Sequence, residues 1–480
     1  MKGIAGFREE YLQLLKLVKT KSLKPDVKLV KKAFDYSLKA HSSQKRASGE
    51  PYFVHPLKVA ITLADWGMDS ASVCAGLLHD CLEDTSVNEA QLKREFGSEV
   101  LELVNGVTKV KKIASSSRRE KRIKSLEKLL LASTKDLRVL IVKIADKIHN
   151  LQTLEFLSVA DRNRIAKDAL EVYAPLAHKL SMHNARFEIE NLAFKCLEPE
   201  KCAEIEAKIA LKRKVIEKSM DFLSERLRAD CDSAGIPVVF EKESKGAFTA
   251  FKKMSDSSKG FDEVFDYSIL DVLTNNVDDC YRILGKLHAL YKPIPRKFKD
   301  WIAIPEHNLY QALHTTVIGP EGIPIKCYIN TFEMHEIGDL GITYFFRHKD
   351  CKSARRLEEK TKWLKSLMPK EALKDSEKFE KSLADNLLPY IYVLTPDGKK
   401  VELPEGSNSI DFAFNVHTSL GLHCWKSFVN GREEKIQSPL LAGDVVRIIE
   451  SEKVEARPNW LSGVKSRKAV EALKRRFKSK

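Results

Sequence analysis

The stretch His79-Asp80-Cys81-Leu82-Glu83-Asp84 sets one imidazole and three carboxylates within six residues. On a helix Glu83 falls three residues after Asp80 and four after His79, and Asp84 falls four after Asp80, so all share one face a turn apart. Polar groups crowded in this way are costly unless something positive binds among them. Neutral imidazole combined with carboxylate suits a divalent first-row ion such as manganese or zinc. Adjacent residues cannot complete such a site, and two other places offer ligands: His55 in Tyr52-Phe53-Val54-His55-Pro56, and Asp146 in Val142-Lys143-Ile144-Ala145-Asp146-Lys147-Ile148-His149-Asn150. Both sit among apolar residues at helical spacing, where a lone polar side chain is either a surface accident or a ligand turned inward. The plainer alternative gives each a local partner: His55 caps a core, His79 and Asp80 share one hydrogen bond, and Asp146 pairs with Lys147 or Lys143.

The elements that must position these groups are helices. From Phe7 to about Leu197 apolar residues recur at threes and fours, in Tyr11 to Val18, Val27 to Ala40, Val59 to Leu63 and Ile123 to Leu131. Ser43 to Pro51 interrupts the pattern as a loop just before His55, and can carry Arg46 to a phosphate or a guanine edge. Asn150 and Thr153 follow Asp146 by four and seven residues on the same face, within reach of a base beside the ion. Lys109 to Arg122 holds seven basic residues against Glu120 and reads either as a solvated loop or as a phosphate-facing one. An isolated His, a His-Asp pair two dozen residues on and an Asp on a distant apolar helix resemble the signature of HD metal phosphohydrolases.

Length and composition bound the rest. The 480 residues suffice for about three domains. The apolar runs are too short to span a bilayer, which with the charged N-terminal segment leads to the expectation of a cytoplasmic protein with no membrane partner. Nine scattered cysteines without a Cys-x-x-Cys pair exclude a zinc ribbon and read as buried thiols. A net charge of +15 favours polyanionic partners such as nucleotides or RNA.

The run Gln44 to His55, Leu77-Leu78-His79-Asp80 with Glu83-Asp84-Thr85, Gly106-Val107-Thr108-Lys109, Ala145 to Asn150 and Val172-Tyr173-Ala174-Pro175-Leu176-Ala177-His178 together resemble the RelA/SpoT homologue family, the enzymes of the alarmone (p)ppGpp. The resemblance implies a hydrolase domain that uses Mn2+ to cleave the 3′-pyrophosphate, giving GDP or GTP and pyrophosphate. His55, His79, Asp80 and Asp146 fall on the family's metal ligands, Glu83 and Asp84 on the pair that activates water, and Arg46, Asn150 and Thr153 on the guanine pocket. Ala47 stands where the family usually has a second basic residue.

Beyond a charged helical connector, strand-like segments at Pro237 to Phe240, Tyr267 to Leu273 and Ile325 to Ile329 alternate with helices around Lys252 and Tyr281 to Leu290. Here the resemblance is to the family's synthetase, a nucleotidyltransferase-like domain, with its chemistry altered. Glu243, Asp271 and Glu306 replace basic groups. Asp266 keeps a metal-binding acid, and Tyr310 keeps the ring that stacks on guanine. Lys326, Tyr328 and Asn330 stand where the family has Glu, Gln and Arg, and that Glu is the second catalytic acid. A lysine there repels Mg2+, so no synthesis is expected, because phosphoryl transfer is nearly all positioning and charge neutralisation. A regulatory nucleotide at this degenerate site stays open.

From Leu388 short strands with turns at Asn430-Gly431 and Ala442-Gly443-Asp444 resemble a TGS domain. Leu422 stands where the family has a His after Gly421, with His423 one place later, which argues against tRNA or ribosome binding. The basic tail after residue 461 reads as a solvated helix. The expected fold class is multidomain α and α+β: an all-α HD hydrolase domain over 1–197, a helical linker over 198–235, a mixed α/β pseudo-synthetase over 236–350, a second helical linker over 351–387, a small β-grasp-like TGS domain over 388–450 and a basic helix over 451–480. Two other functions compete with (p)ppGpp hydrolysis: an HD phosphohydrolase of other 3′-phosphorylated nucleotides, and a non-catalytic regulator binding tRNA or ribosomes.

Overall fold

The computed structural model describes residues 4–108, 117–257, 260, 261, 268–295, 297–304, 310–348, 351–366, 379, 383, 387, 390–451 and 456–478. The chain divides into two compact units, Met1–Leu383 and Ala384–Lys480. Asp266, Glu306 and most of the basic run after Thr108 lie outside the described residues.

The first part of unit 1 is helical, and its helices form for local reasons. Val27–Ala40 buries Val30, Ala33, Phe34 and Ser37, the stripe expected of an amphipathic helix. The Asp26 side chain caps it by accepting the Leu29 amide proton. Ser70–Leu78 is buried at every position, and Asp69 accepts from the Ser72 amide at its start. Glu89–Val107 opens with a capping box between Asn88 and Gln91. Helix Ser70–Leu78 packs against helix Val54–Asp65 at Gly76, where a methyl group would stand 2.7 Å from Leu63 Cδ1 and 3.3 Å from the Ala60 Cα. These two helices carry His79 at one end and His55 at the other's start, so the glycine contact sets the distance between the two imidazoles.

One expectation fails locally. His79 to Asp84 is not part of one continuous helix: Ser70–Leu78 stops before His79, and a new turn, Cys81–Asp84, starts after Asp80. Its first backbone bonds return to the Asp80 carbonyl, from Glu83 at 3.2 Å and Asp84 at 2.9 Å.

The 34-residue helix Pro199–Asp232 connects to a mixed sheet of order β1-β2-β5-β4-β3. Its strands are β1 Val239–Ser244, β2 Ser268–Thr274, β3 Lys299–Asp300, β4 Leu313–Ile318 and β5 Pro324–Thr331. β2 and β5 run parallel, and the other pairs are antiparallel. Alternation sends Leu270, Val272, Ile325, Cys327 and Ile329 into a core shared with Leu223 and Leu227 of the long helix and with Ile283 and Leu287. The strand expected from Pro237 begins two residues later, and β4 went unread. The sheet half is fastened to the helical half by backbone: the Ile342 amide donates to the Leu180 carbonyl at 2.9 Å. Gly341, with φ +58°, lies where any methyl group would collide with the backbone of Ser181 and Met182. The buried Lys360 ammonium also donates to the Lys179 carbonyl at 2.7 Å.

Unit 2 holds a hairpin of β6 Tyr390–Leu394 and β7 Lys400–Pro404, and a sheet of order β10-β8-β9 from Val446–Glu450, Cys424–Val429 and Arg432–Glu434. Asn430 (φ 52°) and Gly431 (φ 81°) make the two-residue turn between β8 and β9. The tail departs from the solvated helix expected. Trp460, Val464, Ala469 and Leu473 enter one core with Ile410 and Phe414, and Asp411 accepts from the Lys465 and Ser466 amides. Its charges therefore ride on one face of a helix whose other face is core. Among the described residues no helix is long and apolar enough to cross a membrane.

Substituting Gly76 by Val is expected to destabilise unit 1 by about 1–3 kcal/mol, because neither the Ala60 backbone nor the buried Leu63 has room to retreat. A lowered urea midpoint at constant secondary structure is the measurement.

Candidate metal centre and adjoining cleft

Four side chains from three segments converge inside the helical half. His55 lies 3% exposed in the first turn of Val54–Asp65, His79 (2%) and Asp80 (8%) occupy the break after Leu78, and Asp146 (4%) comes from Arg138–Gln152. His55 Nε2 is 3.1 Å from Asp146 Oδ1 and 3.6 Å from Asp80 Oδ2. His79 Nε2 is 3.3 Å from Asp80 Oδ1 and 3.7 Å from Asp146 Oδ1. The two Nε2 atoms stand 3.2 Å apart. His55, His79 and Asp80 alone place a ligand atom each within 4.8 Å of the others.

The partners of these groups fix what they offer. His79 Nδ1 lies 2.9 Å from the Gly76 carbonyl, which can only accept, so Nδ1 keeps a proton and an arriving ion would take the Nε2 lone pair as the other proton leaves. Asp146 accepts from Asn150 Nδ2 at 2.6 Å and from Lys143 Nζ at 2.9 Å. Burial works against its charge, but Lys143 and the two imidazoles outweigh burial and hold Asp146 well below the usual carboxylate range. Burial likewise opposes charge on His79, yet Asp80 and Asp146 prevail and push it up to about 9. At His55 burial prevails and lowers it. Two imidazole nitrogens and two carboxylates around a buried point fit a divalent ion, which would supply the positive charge that the His79 proton otherwise supplies. The plainer pairing of Asp146 with Lys143 is also present, on the carboxylate oxygen turned away from the imidazoles.

The water-activating pair of the sequence reading lies in the short turn Cys81–Asp84 that follows the helix break, and its two members have different surroundings. Asp84 is exposed and accepts from the Tyr52 hydroxyl at 2.9 Å, and the same hydroxyl reaches Asp80 at 2.8 Å. One phenol thus joins the two acids. Glu83 is half-buried and close enough to Lys128 to act on its charge.

A cleft of about 220 Å³ opens beside this cluster, lined by Arg46, Asn150 and Thr153 together with Tyr52, Phe156 and Leu157. Arg46 Nη2 donates to Thr153 Oγ1 at 3.0 Å. The three residues expected to hold a guanine are thus neighbours, and Tyr52 and Asn150 belong to both cleft and cluster. Sequence reasoning passed over Tyr52 and His149 and named Lys143 only as an alternative partner of Asp146. His149 follows Asp146 by three residues on the same helix, and that spacing was a usable signal.

In the sheet half the altered residues share the face opposite the core. Register aligns Glu241, Asp271, Tyr328 and His314 across four strands, with His314 stacked on Tyr328 at 3.7 Å. Glu243 lies in the neighbouring row with Lys326 and is held by Lys245 at 2.9 Å. Tyr310 hydrogen-bonds His314 at 2.8 Å. Asp271 and Asn330 are buried, and among the described residues Asp271 Oδ2 and Asn330 Oδ1 have no hydrogen-bond partner. Burial, then Glu243, pushes Asp271 up to about 7.

Comparison with known proteins finds three matching family models along the chain. Residues 33–183 fit the model of the HD domain, 243–353 that of a region found in RelA / SpoT proteins, and 391–450 that of the TGS domain. The chain is 35% identical over 476 residues to the bifunctional (p)ppGpp synthase/hydrolase SpoT of Escherichia coli, covering 97% of this chain and 67% of that protein. It belongs to the RelA/SpoT family. Other relatives are the guanosine-3′,5′-bis(diphosphate) 3′-pyrophosphohydrolase of Aquifex aeolicus, 36% identical over 94% of this chain and 64% of that protein, and the GTP pyrophosphokinase of Myxococcus xanthus, 36% identical over 94% and 60%. The chain thus spans roughly two thirds of the length of these RelA/SpoT relatives.

Two outcomes follow. Lys143→Met leaves the Asp146 charge buried without its ammonium and is expected to cost about 3–5 kcal/mol of unfolding free energy in EDTA, part of it regained when Mn2+ is added. For Asp271, a folded pKa above the unfolded one means the folded state holds the proton longer, so its contribution falls as pH rises from about 4 to 7. Asp271→Asn should therefore gain stability over the parent above pH 7, by an amount on the order of a few kcal/mol, and gain nothing near pH 4; urea titrations across that range read it.

Proposed function

We propose that the helical half hydrolyses the 3′-pyrophosphate of (p)ppGpp to GDP or GTP and pyrophosphate, with Mn2+ as its ion, as a cytoplasmic enzyme. The observation that carries this reading is the meeting of His55, His79, Asp80 and Asp146 beside a cleft lined by Arg46, Asn150 and Thr153. The functions of the Aquifex and Escherichia relatives support it. His55, His79, Asp80 and Asp146 would hold the ion, which when bound supplies an acidified water and offsets charge on the phosphoryl oxygens. Asp84 would take the proton of the attacking water, with its carboxylate oriented by the Tyr52 hydroxyl that donates to it. Glu83, beside Asp84 in the same turn, would be the second acid of the pair that activates that water. Arg46, Asn150 and Thr153 position the guanosine.

We further propose that the sheet half makes no alarmone. Lys326 stands on β5 where the family's second acid would bind Mg2+, and Glu243 and Asp271 put negative charge on a face that in a synthetase must receive triphosphate. A regulatory nucleotide on this face, near Tyr310, remains compatible with the aromatic rings around it.

With Mn2+, the purified chain is expected to release pyrophosphate from ppGpp, and His79→Ala and Asp80→Ala to lower turnover by at least about 100-fold. Supplied with ATP and GDP, it should form no ppGpp. Orthophosphate as the product would refute the cleavage, and alarmone synthesis would refute the silenced second half.

A further inference from the structure

His149 is the one buried imidazole at this centre to which neither the sequence motifs nor the proposed reaction gives a task. It sits three residues after Asp146 on the same helix, 6% exposed, so one turn of helix delivers both a carboxylate and a second-layer ring to the cluster. Its Nδ1 lies 2.8 Å from Nδ1 of His55, and the ring centroids are 4.9 Å apart. The same Nδ1 lies 3.3 Å from Nη1 of Arg46, the arginine that lines the cleft.

Hydrogen-bond inventory decides the protonation of this trio. A guanidinium nitrogen has protons and no acceptor site, so Arg46 must be the donor to His149 Nδ1. That nitrogen is then an acceptor, and His149 carries its proton on Nε2. His55 Nδ1, facing the same lone pair, must in turn be a donor. The proton of His55 is thereby confined to Nδ1, and its Nε2 lone pair is left pointing at the point shared with His79 Nε2, Asp80 and Asp146. His79 reaches the same tautomer through a backbone carbonyl, which no ligand can move. His55 reaches it through a side chain that also touches an arginine of the cleft.

We propose that His149 is a positioning residue: it holds His55 in the tautomer that ligates the ion and ties that ligand to Arg46, so that ion and nucleotide are bound by one connected set of hydrogen bonds. The proposal rests on the metal-centre reading above. It does not need His149 to touch substrate or to transfer a proton. Second-layer partners of this kind typically alter metal affinity 10- to 100-fold, and coupling through them is reciprocal.

The test compares His149→Asn with His149→Leu in the full chain. The Asn amide oxygen hangs from the same carbon as the imidazole Nδ1 and can accept from both Arg46 and His55; Leu fills similar space and cannot accept. Mn2+ affinity, read from the electron paramagnetic resonance signal of the free ion without substrate, is expected to fall about 10- to 100-fold for Leu and to stay within a few-fold of the parent for Asn. Equal affinity of Leu and parent, or equal weakening in both variants, overturns the proposal. A measurement on the unaltered chain guards against misfolding of the Leu variant: long-range 15N correlation of the imidazoles should give His55 with a protonated Nδ1 and an unprotonated Nε2. The opposite tautomer overturns the assignment even where the variants cannot be purified. If the parent binds no Mn2+ at all while the expected His55 tautomer is present, the metal reading fails and this proposal with it; if the parent binds Mn2+ and hydrolyses ppGpp but Leu matches it, only the role of His149 is lost.

Discussion

Two carboxylates buried in an apolar helical bundle are the constraint on which the helical half depends. An isolated carboxylate moved from water into such a place is prohibitively costly, so Asp80 and Asp146 persist only because Tyr52, Asn150, Lys143 and two imidazoles surround them. Lys143 and Asn150 serve Asp146 from its own helix, whereas Tyr52 and His55 reach the acids from another segment. The packing of Gly76 against Ala60, the cap at Asp69 and the turn that restarts after Asp80 are the means by which that surrounding is kept in register. What makes the arrangement expensive to fold also makes it a strong site for a cation, since each favourable contact with charge is magnified where water is excluded.

Much of this was legible in the residues because periodicity is a local property. The stripe Val30, Ala33, Phe34, Ser37 could be read directly as a buried helix face, and Asn430-Gly431 as a two-residue hairpin turn, since only residues tolerant of positive φ close it. The relations that escaped were through space. Nothing near Tyr52 in the chain announces that its hydroxyl would bridge Asp80 and Asp84, 28 and 32 residues on. The helix break at His79 carries no Gly or Pro to mark it, and the apolar run through Leu82 argued for continuity. The strand Leu313–Ile318 was legible in principle from its β-branched run Thr315 to Ile318. In the tail the density of Lys and Arg drew attention from Ala469 and Leu473, four residues apart and both fully buried.

The sheet half illustrates how chemistry and fold can be separated. In β2 and β5 the odd and even positions face opposite ways, so Leu270, Val272, Ile325, Cys327 and Ile329 maintain the core whatever stands at Asp271, Lys326, Tyr328 and Asn330. Charge could be reversed on one face while the other retained its packing. Among the described residues that face holds polar atoms without hydrogen bonds, at Asp271 and Asn330.

The backbone seam at Gly341 has an implication for anyone mapping variants by phenotype. Because that glycine lies against the peptide of Ser181 and Met182, any larger residue there would have to pry the two halves of unit 1 apart. A genetic screen for loss of the proposed alarmone hydrolysis would then score residue 341 beside His79 and Asp80, though it lies outside the helical half to which we assign that reaction. Such a hit would report on a mechanical joint, and it would respond to second-site changes along the Leu180–Ile342 contact where a true ligand variant would not.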